Sequence, residues 1–293
     1  SVLISGAAIL AIYTYINKVV LKDPSLYDPS QISHKKKKKE KVNAMEGIKI
    51  LFKTPYLMLI AVIVMGYGVA INFAEVIMKS GMKEVLTDKE YVNMQGNLSM
   101  FTAVFTILSV FLTVNILRKC SWKTAALITP LTFLILGGIF FALVLYRQFV
   151  STTIFGVSAI LLSVWFGVIH DAFVKGIKYT LFDSTKNMAY LPLDVDTKTK
   201  GQAAVEVIGG RAGKAGASAV QQGLLAFPTK LTTITGAVAG VMAFTPVISV
   251  IFVVTVGAWI FSVIKLSGKY EKAVKEPTEE PAVKTVETTE VKE

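Results

Sequence analysis

The sequence is poor in the residues that build disulfide frameworks, metal centres and most enzyme active sites. It contains one cysteine, Cys120, and two histidines among 293 residues. A single cysteine excludes an internal disulfide bond. No cluster of metal ligands, nucleophile triad or pair of catalytic carboxylates stands out in the sequence, so we expect no enzyme activity, no metal and no cofactor.

Charged residues are also few, at 17% of the sequence, because apolar residues dominate the chain. Hydrophobic residues make up 53% of the sequence and the mean hydropathy is +0.57, which is too apolar for an ordinary soluble domain of this length. Several apolar runs approach the roughly 20 residues that a helix needs to cross the hydrocarbon core of a bilayer. The composition therefore predicts an all-α integral membrane protein surrounded by lipid.

The net charge of +11 comes mostly from lysines that stand in runs between the apolar segments. Lysine in such connections sets the orientation of membrane helices, so the charge does not indicate a nucleic-acid partner. With the run from Lys35 to Lys39 in the cytoplasm, the predicted cytoplasmic segments contain 24 lysines and arginines and the opposite segments contain five. We expect attraction of the basic linker to anionic headgroups as a secondary effect.

The alternation of apolar runs and polar connections predicts one partial and six complete membrane helices. The complete spans are expected at 56–78, 91–117, 124–146, 152–173, 201–222 and within 231–265. A long polar loop is expected at 174–200, and Pro246 is expected to kink the last span. The first apolar run, at 2–16, is short, and the chain starts there without a methionine or signal peptide, so we interpret the chain as a fragment whose front part is missing.

These segments define four regions of the chain. We assign residues 1–17 to the end of a preceding transmembrane helix, 18–54 to a basic cytoplasmic linker, 55–266 to a unit of six transmembrane helices, and 267–293 to a disordered cytoplasmic tail. The tail alternates Glu, Lys, Pro and Thr, a composition that cannot bury enough apolar surface to fold.

The predicted helix at 201–222 differs from the others because it contains Glu206, Arg211 and Lys214. At 100° per residue, one stripe collects Arg211, Lys214, Ser218, Gln221 and Gln222, and the opposite side collects Gly209, Gly213, Gly216 and Val220. Charge at membrane depth is tolerated mainly beside a water-filled cavity or an ion partner. The cationic stripe therefore predicts the lining of a pathway for an anion, and the small residues predict close helix packing.

The same helix has two other interpretations. In one, Arg211 and Lys214 form permanent internal ion pairs with Glu75 or Glu206. In the other, residues 209–215 (GGRAGKA) form a phosphate-binding loop. We reject the second, because the spacing is one residue short, an alanine replaces the required Ser or Thr, and no strand precedes the segment.

The predicted helix at 56–78 carries a second polar stripe. Asn72, Glu75 and Lys79 follow one another at i, i+3 and i+7. Glu75 and Lys79 are spaced to pair as i and i+4. Alternatively, Lys79 extends to the membrane surface and leaves Glu75 alone within the bilayer.

The cytoplasmic end of the fourth complete span concentrates polar and aromatic groups. Asp171 and Lys175 are spaced to pair as i and i+4. His170 is interpreted either as a hydrogen-bonding residue at a helix interface or as a proton relay. Trp165 is interpreted either as a packing or anchoring residue or as a platform on which a nucleobase stacks.

Polar side chains form a row along the predicted helix at 91–117. The row consists of Gln95, Ser99, Thr102, Thr106, Ser109 and Thr113, at alternating steps of three and four residues. It is interpreted either as side chains that satisfy their own backbone or join two helices, or as the lining of a pore.

Several segments together resemble one known family. They are Ile71–Lys79 (INFAEVIMK), Lys178–Asp194 (KYTLFDSTKNMAYLPLD), Lys200–Glu206 (KGQAAVE), Gly213–Gly216 (GKAG) and Gln221–Gly223 (QQG). These segments resemble the ATP/ADP translocases of obligate intracellular bacteria and plastids. The resemblance extends from Lys53 to Lys265.

The resemblance implies a major-facilitator-like fold of twelve helices, with two six-helix halves around a central cavity. This chain would supply the end of the sixth helix, the central linker and the C-terminal half, and its partner would be the missing N-terminal half. The resemblance also implies exchange of nucleotides, ATP for ADP, across a bacterial inner membrane, with the plastid inner envelope as the alternative. Glu75 and Lys214 best match the charged positions that matter for transport in the family.

We therefore favour an exchanger of ATP and ADP that works by alternating access, with Arg211 and Lys214 on the phosphates. The expected substrate-binding residues are Lys214, Arg211, Glu75, Asn72, Lys79, Gln221, Gln222 and Trp165. One alternative is proton-coupled import of a nucleotide, with Glu75, Asp171 or His170 carrying the proton, or transport of NAD. The alternative from another class is a membrane scaffold subunit that transports nothing.

Overall fold

The computed structural model describes residues 2–20, 44–149, 153–154, 157–226 and 241–275. The chain divides into two compact units, residues 1–42 and residues 43–293. In the first unit, helix α1 (Val2–Lys18) is apolar and exposes large side chains such as Ile9 and Tyr13. It covers the apolar run predicted at 2–16. The lysine run of the linker lies outside the described residues.

The regular secondary structure described in the second unit is helical apart from one short hairpin. Its elements are α2 (Ala44–Lys53), α3 (Pro55–Val85), α4 (Asp88–Lys119), α5 (Trp122–Phe149), β1 (Thr153–Ile154), β2 (Val157–Ser158), α6 (Ala159–Ile177), α7 (Asp183–Ala189), α8 (Val195–Val205), α9 (Gly213–Ala226) and α10 (Thr245–Lys275). A first π-helical segment, Lys178–Phe182, joins α6 to α7 without a break. A second, Glu206–Ala212, joins α8 to α9, and a 3₁₀ turn, Val241–Phe244, precedes α10.

Five helices within the described residues are long and apolar enough to cross a membrane. They cover Pro55–Val85, Asp88–Lys119, Trp122–Tyr146, Ala159–Ala189 and Val241–Lys275. The predicted span at 201–222 is not among them, although α8, the second π-helical segment and α9 form one continuous helix over 195–226. That helix has the length of a span, but glycine and charged residues lower its hydropathy.

The long polar loop predicted at 174–200 is wrong. The helix that begins at Ala159 continues to Ala189, and only residues 190–194 separate it from α8. Its polar side chains satisfy one another: Lys178 forms an ion pair with Asp183 at 3.0 Å. The polar side chains of this segment contact water and one another, and these contacts form on a helical backbone. Polar composition alone therefore did not indicate a loop.

Three further boundaries differ from the prediction. α10 continues to Lys275, so residues 267–275 are helical instead of a disordered tail, and 276–293 lie outside the described residues. Pro246 stands in the first turn of α10, directly after the 3₁₀ turn, a position where the missing N–H of proline is tolerated. Within the predicted linker, residues 44–53 form α2, which buries Leu51.

Helix α3 is the central element of the second unit. It packs on α6, on the helix formed by α8 and α9, and on α10, while α5 packs on α6 and α10 and α4 packs on α6. The helices therefore form a row in the order α4, α6, α3, α9, and α5 and α10 lie against its middle members. Buried aromatic side chains hold the middle together, with Phe133 and Phe182 both 5.5 Å from Trp259 between ring centroids.

Contacts along α3 define the direction of its neighbours. The Tyr56 hydroxyl donates a hydrogen bond to the Ala189 carbonyl at 2.7 Å, near the start of α3 and the end of α7, so α6 and α7 run antiparallel to α3. In contrast, Gly201 meets Leu57 near the start of α3, and Gly213 meets Met65 further along it. The helix of α8 and α9 is therefore parallel to α3. Residues of neighbouring helices can thus be compared by level, that is, by the residue of α3 that they lie beside.

Candidate functional site

The polar stripe of α3 forms the first part of the site. The Lys79 ammonium lies 2.9 Å from Glu75 Oε2, which confirms the predicted pairing at i and i+4. The side chains are 39% and 23% exposed, so Lys79 is neither fully buried nor extended away from Glu75. Asn72, the third member of the stripe, is half-buried on the same side of the helix.

A second cation, Lys175 of α6, reaches Glu75 from the neighbouring helix. Lys175 Nζ lies 2.8 Å from Asp171 Oδ2, as the i and i+4 spacing predicted, and also 2.7 Å from Glu75 Oε1. Glu75, Lys79, Asp171 and Lys175 therefore form one central charge cluster across α3 and α6. The link between the two helices could not be read from local spacing, because it depends on their antiparallel register.

The central charge cluster lies deep within its helices. Glu75 follows Pro55 by 20 residues and precedes Val85 by 10, which is about 30 Å and 15 Å along the helix at 1.5 Å per residue. Asp171 is 12 residues into α6, or about 18 Å from its start. Charges at such depth are retained where they pair with one another or face a cavity.

Two buried polar atoms beside this cluster have no hydrogen-bond partner among the described residues, Asp171 Oδ1 and His170 Nε2. His170 stacks on Phe140 with 5.8 Å between ring centroids and also meets the edge of Phe133. Its ring therefore packs against α5, and Nε2 forms no interfacial hydrogen bond within the described part of the chain. The predicted proton relay stays a prediction.

The helix of α8 and α9 supplies a different arrangement of charge. Arg211, Lys214, Ser218 and Gln222 are exposed on one side of it, and we refer to these four residues as the open cationic face. Neither cation of this face forms an ion pair with any described residue. The alternative of permanent internal pairing does not hold here, because Glu75 contacts Lys79 and Lys175 and Glu206 contacts Lys186.

Gln221 was predicted to share the polar stripe of Arg211 and Lys214, and this prediction is wrong. In the structure Gln221 lies on the side of α9 that packs against α3. It is buried and its Nε2 donates a hydrogen bond to Asn72 Oδ1 at 2.9 Å, so the two amides satisfy each other across α3 and α9. The predicted packing residues Gly216 and Val220 are exposed instead. Crossing helices touch along inclined rows of every fourth residue, here from Gly213 through 217 to 221, whereas the prediction assumed a stripe parallel to the axis.

The open cationic face lies at the middle of the membrane-spanning length of α3. A Cβ on Gly68 would lie 3.5 Å from the Lys214 backbone nitrogen, and Gly68 is 13 residues after Pro55 and 17 before Val85. Seven residues, about 10 Å along the helix, separate this level from Glu75. Two cations without partners among the described residues therefore stand close to the level of the charge cluster.

Trp165 and Gln222 are exposed, and the structure does not bring either into contact with the central charge cluster. On α4, Ser99, Thr102 and Thr106 donate hydrogen bonds to the carbonyl four residues earlier, at 3.0, 2.8 and 2.7 Å. For these three side chains, the interpretation that they satisfy their own backbone is confirmed.

A second ion-pair network joins the two π-helical segments. Asp183, directly after the first segment, contacts Lys178 at 3.0 Å and Lys186 at 3.4 Å, and Lys186 also contacts Glu206, the first residue of the second segment. Sequence reasoning missed this network, although the i and i+3 spacing of Asp183 and Lys186 was a local signal. π-Helical turns are rare and often occur at functional sites. The network holds α7 to the segment that contains Arg211.

Asp194 determines where the helix of α8 and α9 begins. Its carboxylate accepts a hydrogen bond from the Thr197 backbone N–H at 2.9 Å, the geometry of an N-cap. The same hydrogen bond holds the pKa of Asp194 below its ordinary value. The start of the helix is thus set by the capping residue at the end of a short connection, Tyr190 to Asp194.

Comparison with known proteins gives a consistent set of relatives. A family model described as TLC ATP/ADP transporter matches residues 1–270. ADP,ATP carrier protein 1 of Rickettsia typhi is 40% identical over 275 residues, 92% of this chain and 53% of that protein. The protein of the same name from Chlamydia pneumoniae is 39% identical over 94% of this chain and 53% of its own length.

A plant relative extends the set beyond bacteria. The chloroplastic ADP,ATP carrier protein 1 of Arabidopsis thaliana is 35% identical over 90% of this chain and 40% of its own length. The chain spans about half the length of the bacterial relatives. No solved structure matches it. The family description is that of a membrane transporter and not of an enzyme, and the chain belongs to this TLC ATP/ADP transporter family.

Proposed function

We propose that the chain forms one half of a nucleotide transporter that exchanges ATP for ADP. The observation that carries the proposal is the open cationic face, where Arg211 and Lys214 stand at membrane depth without partners among the described residues. Such charges are stable only beside a water-filled space or an anion. The names of the relatives, ADP,ATP carrier proteins, agree with a polyphosphate as that anion.

We further propose a major-facilitator-like arrangement in which a second six-helix half lies opposite the open cationic face. The row of α4, α6, α3 and α9, with α5 and α10 against its middle, supports this arrangement, because charged and polar residues of α3, α6 and α9 then border one central cavity. The helix over 195–226 is the fifth span in chain order and, with the five candidate spans, completes the six of this half. Its polar side is tolerated because it lines the cavity and does not face lipid.

Transport in this proposal needs binding and release but no bond cleavage. Arg211 holds phosphate oxygens through its planar guanidinium, and Lys214 adds a mobile point charge. Asn72 and Gln222 contribute polar contacts next to these cations, and Trp165, which follows Val164 at the level of Gly81 on α3, contributes an aromatic contact further along the cavity. Alternating access then exposes the same site to the two sides of the membrane, and the nucleotide gradients set the direction of exchange.

The test is uptake of labelled ATP by liposomes that contain the full-length protein and are preloaded with ADP. We expect Lys214→Ala to lower uptake about 100-fold, because one charge-assisted contact with the phosphates is lost. Lys123→Ala, which removes an exposed cation in the first turn of α5, is the matched control and should leave uptake unchanged. Intact uptake in both Lys214→Ala and Glu75→Gln would contradict the site assignment.

Proton-coupled import is the second candidate, and the buried Asp171 Oδ1, which has no hydrogen-bond partner in the described part of the chain, favours it. A neutral, protonated carboxyl group costs less to bury than a carboxylate, so Asp171 is a candidate to carry the proton. An importer of this kind takes up ATP into liposomes without internal ADP and responds to an imposed pH gradient. The exchanger requires internal ADP, so one uptake experiment with empty and preloaded liposomes separates the two. A scaffold subunit would bind no nucleotide in either case.

A further inference from the structure

The central charge cluster is balanced, in contrast to the open cationic face. It contains two carboxylates and two ammonium groups, and all three ion pairs are between 2.7 and 2.9 Å. Lys175 touches both carboxylates, whereas Lys79 pairs with Glu75 alone among the residues that the structure describes. The cluster therefore attracts no anion by net charge, and any role in transport must come from the way its pairs are connected.

The connection between helices depends on one contact. Glu75 and Lys79 both belong to α3, and Asp171 and Lys175 both belong to α6, so each of these pairs moves as part of one helix. Only the contact between Glu75 and Lys175 crosses from α3 to α6 within this cluster. When it breaks, each helix keeps a neutral pair, and no buried charge is left without a partner. Separation of the two helices thus avoids the large cost of exposing a lone charge at membrane depth.

Next to the cluster, the contact between α3 and α6 is apolar, whereas a hydrogen bond from Tyr56 to Ala189 joins α3 to α7 at the other end. Beyond the cluster, Gly167 of α6 approaches the Met78 side chain of α3, and a Cβ at that glycine would lie 3.0 Å from Met78 Cγ. Apolar contacts of this kind are rearranged without unpaired polar groups. The bridge between Glu75 and Lys175 is therefore the part of the interface whose partner can be exchanged for another anion.

The residues of the central charge cluster differ in their exposure to solvent. Glu75 and Lys175 are each 23% exposed, whereas Asp171 is 1% exposed. An anion that reaches the exposed part of the bridge can replace Glu75 at Lys175. The buried Asp171 meanwhile keeps its own ion pair with Lys175 within α6. A phosphate is the anion available at this level, since the open cationic face lies about 10 Å away along α3.

We propose that the bridge between Glu75 and Lys175 is an anion-operated switch, in which substrate phosphate replaces the Glu75 carboxylate at Lys175 and releases α3 from α6. This proposal rests on the proposed function, because it assigns the phosphate to a transported nucleotide. Glu75 then competes with the substrate, and Lys175 binds it. The two partners of one ion pair therefore have opposite effects on affinity.

The first measurement is equilibrium binding of ATP to the full-length protein in detergent. Lys175→Gln raises the dissociation constant about tenfold, because a cation of the site is lost. Glu75→Gln lowers it by up to about tenfold, because the competitor is lost and Lys175 is available in a larger fraction of molecules. Lys175→Arg keeps binding near the parent value. If the bridge only stabilises the structure, Glu75→Gln and Lys175→Gln change the dissociation constant for ATP in the same direction, and that result overturns the proposal.

The variants are chosen so that a loss of ATP binding is not caused by a loss of folding. Glu75→Gln leaves the pair of Asp171 and Lys175 intact, and Lys175→Gln is also prepared together with Asp171→Asn, so that no carboxylate is left buried without a partner. The double variant must still show weakened ATP binding. Parent-like binding in a folded double variant overturns the proposal.

The second measurement is the distance between α3 and α6. Spin labels on cysteines at Val85 and Ile169, both exposed, in a Cys120→Ser background report this distance with and without ATP. ATP lengthens it in the parent protein, and Glu75→Gln has the longer distance before ATP is added. A distance that ATP leaves unchanged overturns the switch. If the parent protein does not exchange ATP, the proposed function fails. If the parent exchanges ATP, Lys214→Ala abolishes exchange and Lys175→Gln leaves it unchanged, the switch alone is refuted.

Discussion

The central charge cluster and the open cationic face place the same kinds of side chain at similar depth in opposite situations. Lys175 contacts two carboxylates within 2.8 Å, whereas Lys214 contacts no carboxylate among the described residues. A lysine in the first situation holds two helices together, and a lysine in the second is available to an anion from outside the chain. Depth and residue type therefore do not define the role of a membrane lysine, but its neighbours do.

The difference arises from the packing face of each helix. α6 turns Lys175 toward α3, where the antiparallel register brings Glu75 opposite. α9 turns Gly213 toward α3, and the close approach of the backbones directs Lys214 away from the interface. The small residue in the second interface is thus as important for the open cationic face as the cations themselves.

The largest expected effect compares the same substitution in the two regions. Lys175→Met should lower the free energy of unfolding by about 3 kcal/mol, because Asp171 is left buried without a partner. Lys214→Met should change it by no more than about 0.5 kcal/mol, since no contact within the described residues is lost. Thermal unfolding of the full-length protein in detergent measures both, and addition of Asp171→Asn to Lys175→Met should restore most of the loss. Equal destabilisation by the two lysine variants would remove the distinction between the regions.

An intermediate effect is expected at the interface that directs Lys214 outward. Gly213→Ala should destabilise the protein by about 1 to 2 kcal/mol, because its Cβ would lie 2.9 Å from the Met65 carbonyl oxygen. Gly216→Ala, one turn along the same helix, meets no atom within 4 Å and should stabilise the helix by up to about 1 kcal/mol. Thermal unfolding should therefore shift in opposite directions. A stabilising Gly213→Ala would show that the two helices do not pack as described.

The smallest effect concerns the N-cap that sets the start of α8. Asp194→Ala should cost about 1 kcal/mol and Asp194→Asn much less, because asparagine also caps. The hydrogen bond from Thr197 lowers the folded pKa of Asp194 below the unfolded value, so its contribution is complete above about pH 4 and is lost as the pH falls through the folded pKa. The gap in melting temperature between parent and Asp194→Ala should accordingly close on acidification. A gap that is constant down to pH 3 would contradict the cap.

Much of the fold and part of the site were accessible from the sequence. Apolar runs predicted the five candidate spans, and spacing predicted the pairs of Glu75 with Lys79 and of Asp171 with Lys175, because a helix places i and i+4 side by side. The bridge from Glu75 to Lys175 was missed, since it joins residues 100 positions apart. The polar segment at 174–200 was misread as a loop, because its charges pair within and between helices, which composition does not reveal.

The assignment of Gln221 shows the limit of the helical wheel. By angle it shares a stripe with Lys214, yet it packs against Asn72 because α9 crosses α3 along rows of every fourth residue. A wheel describes an isolated straight helix, and the crossing of two helices selects which edge of a stripe is buried.

The sequence by itself determined that this protein is a set of apolar helices with charges at membrane depth, because hydropathy and helical spacing are local properties. It also determined which charges neighbour one another along a single helix. Only the tertiary structure decided that Lys175 is shared by two carboxylates while Arg211 and Lys214 lie open among the described residues. That outcome depends on the register of α3 against α6 and on the glycine-lined contact with α9, and both are long-range properties of packing.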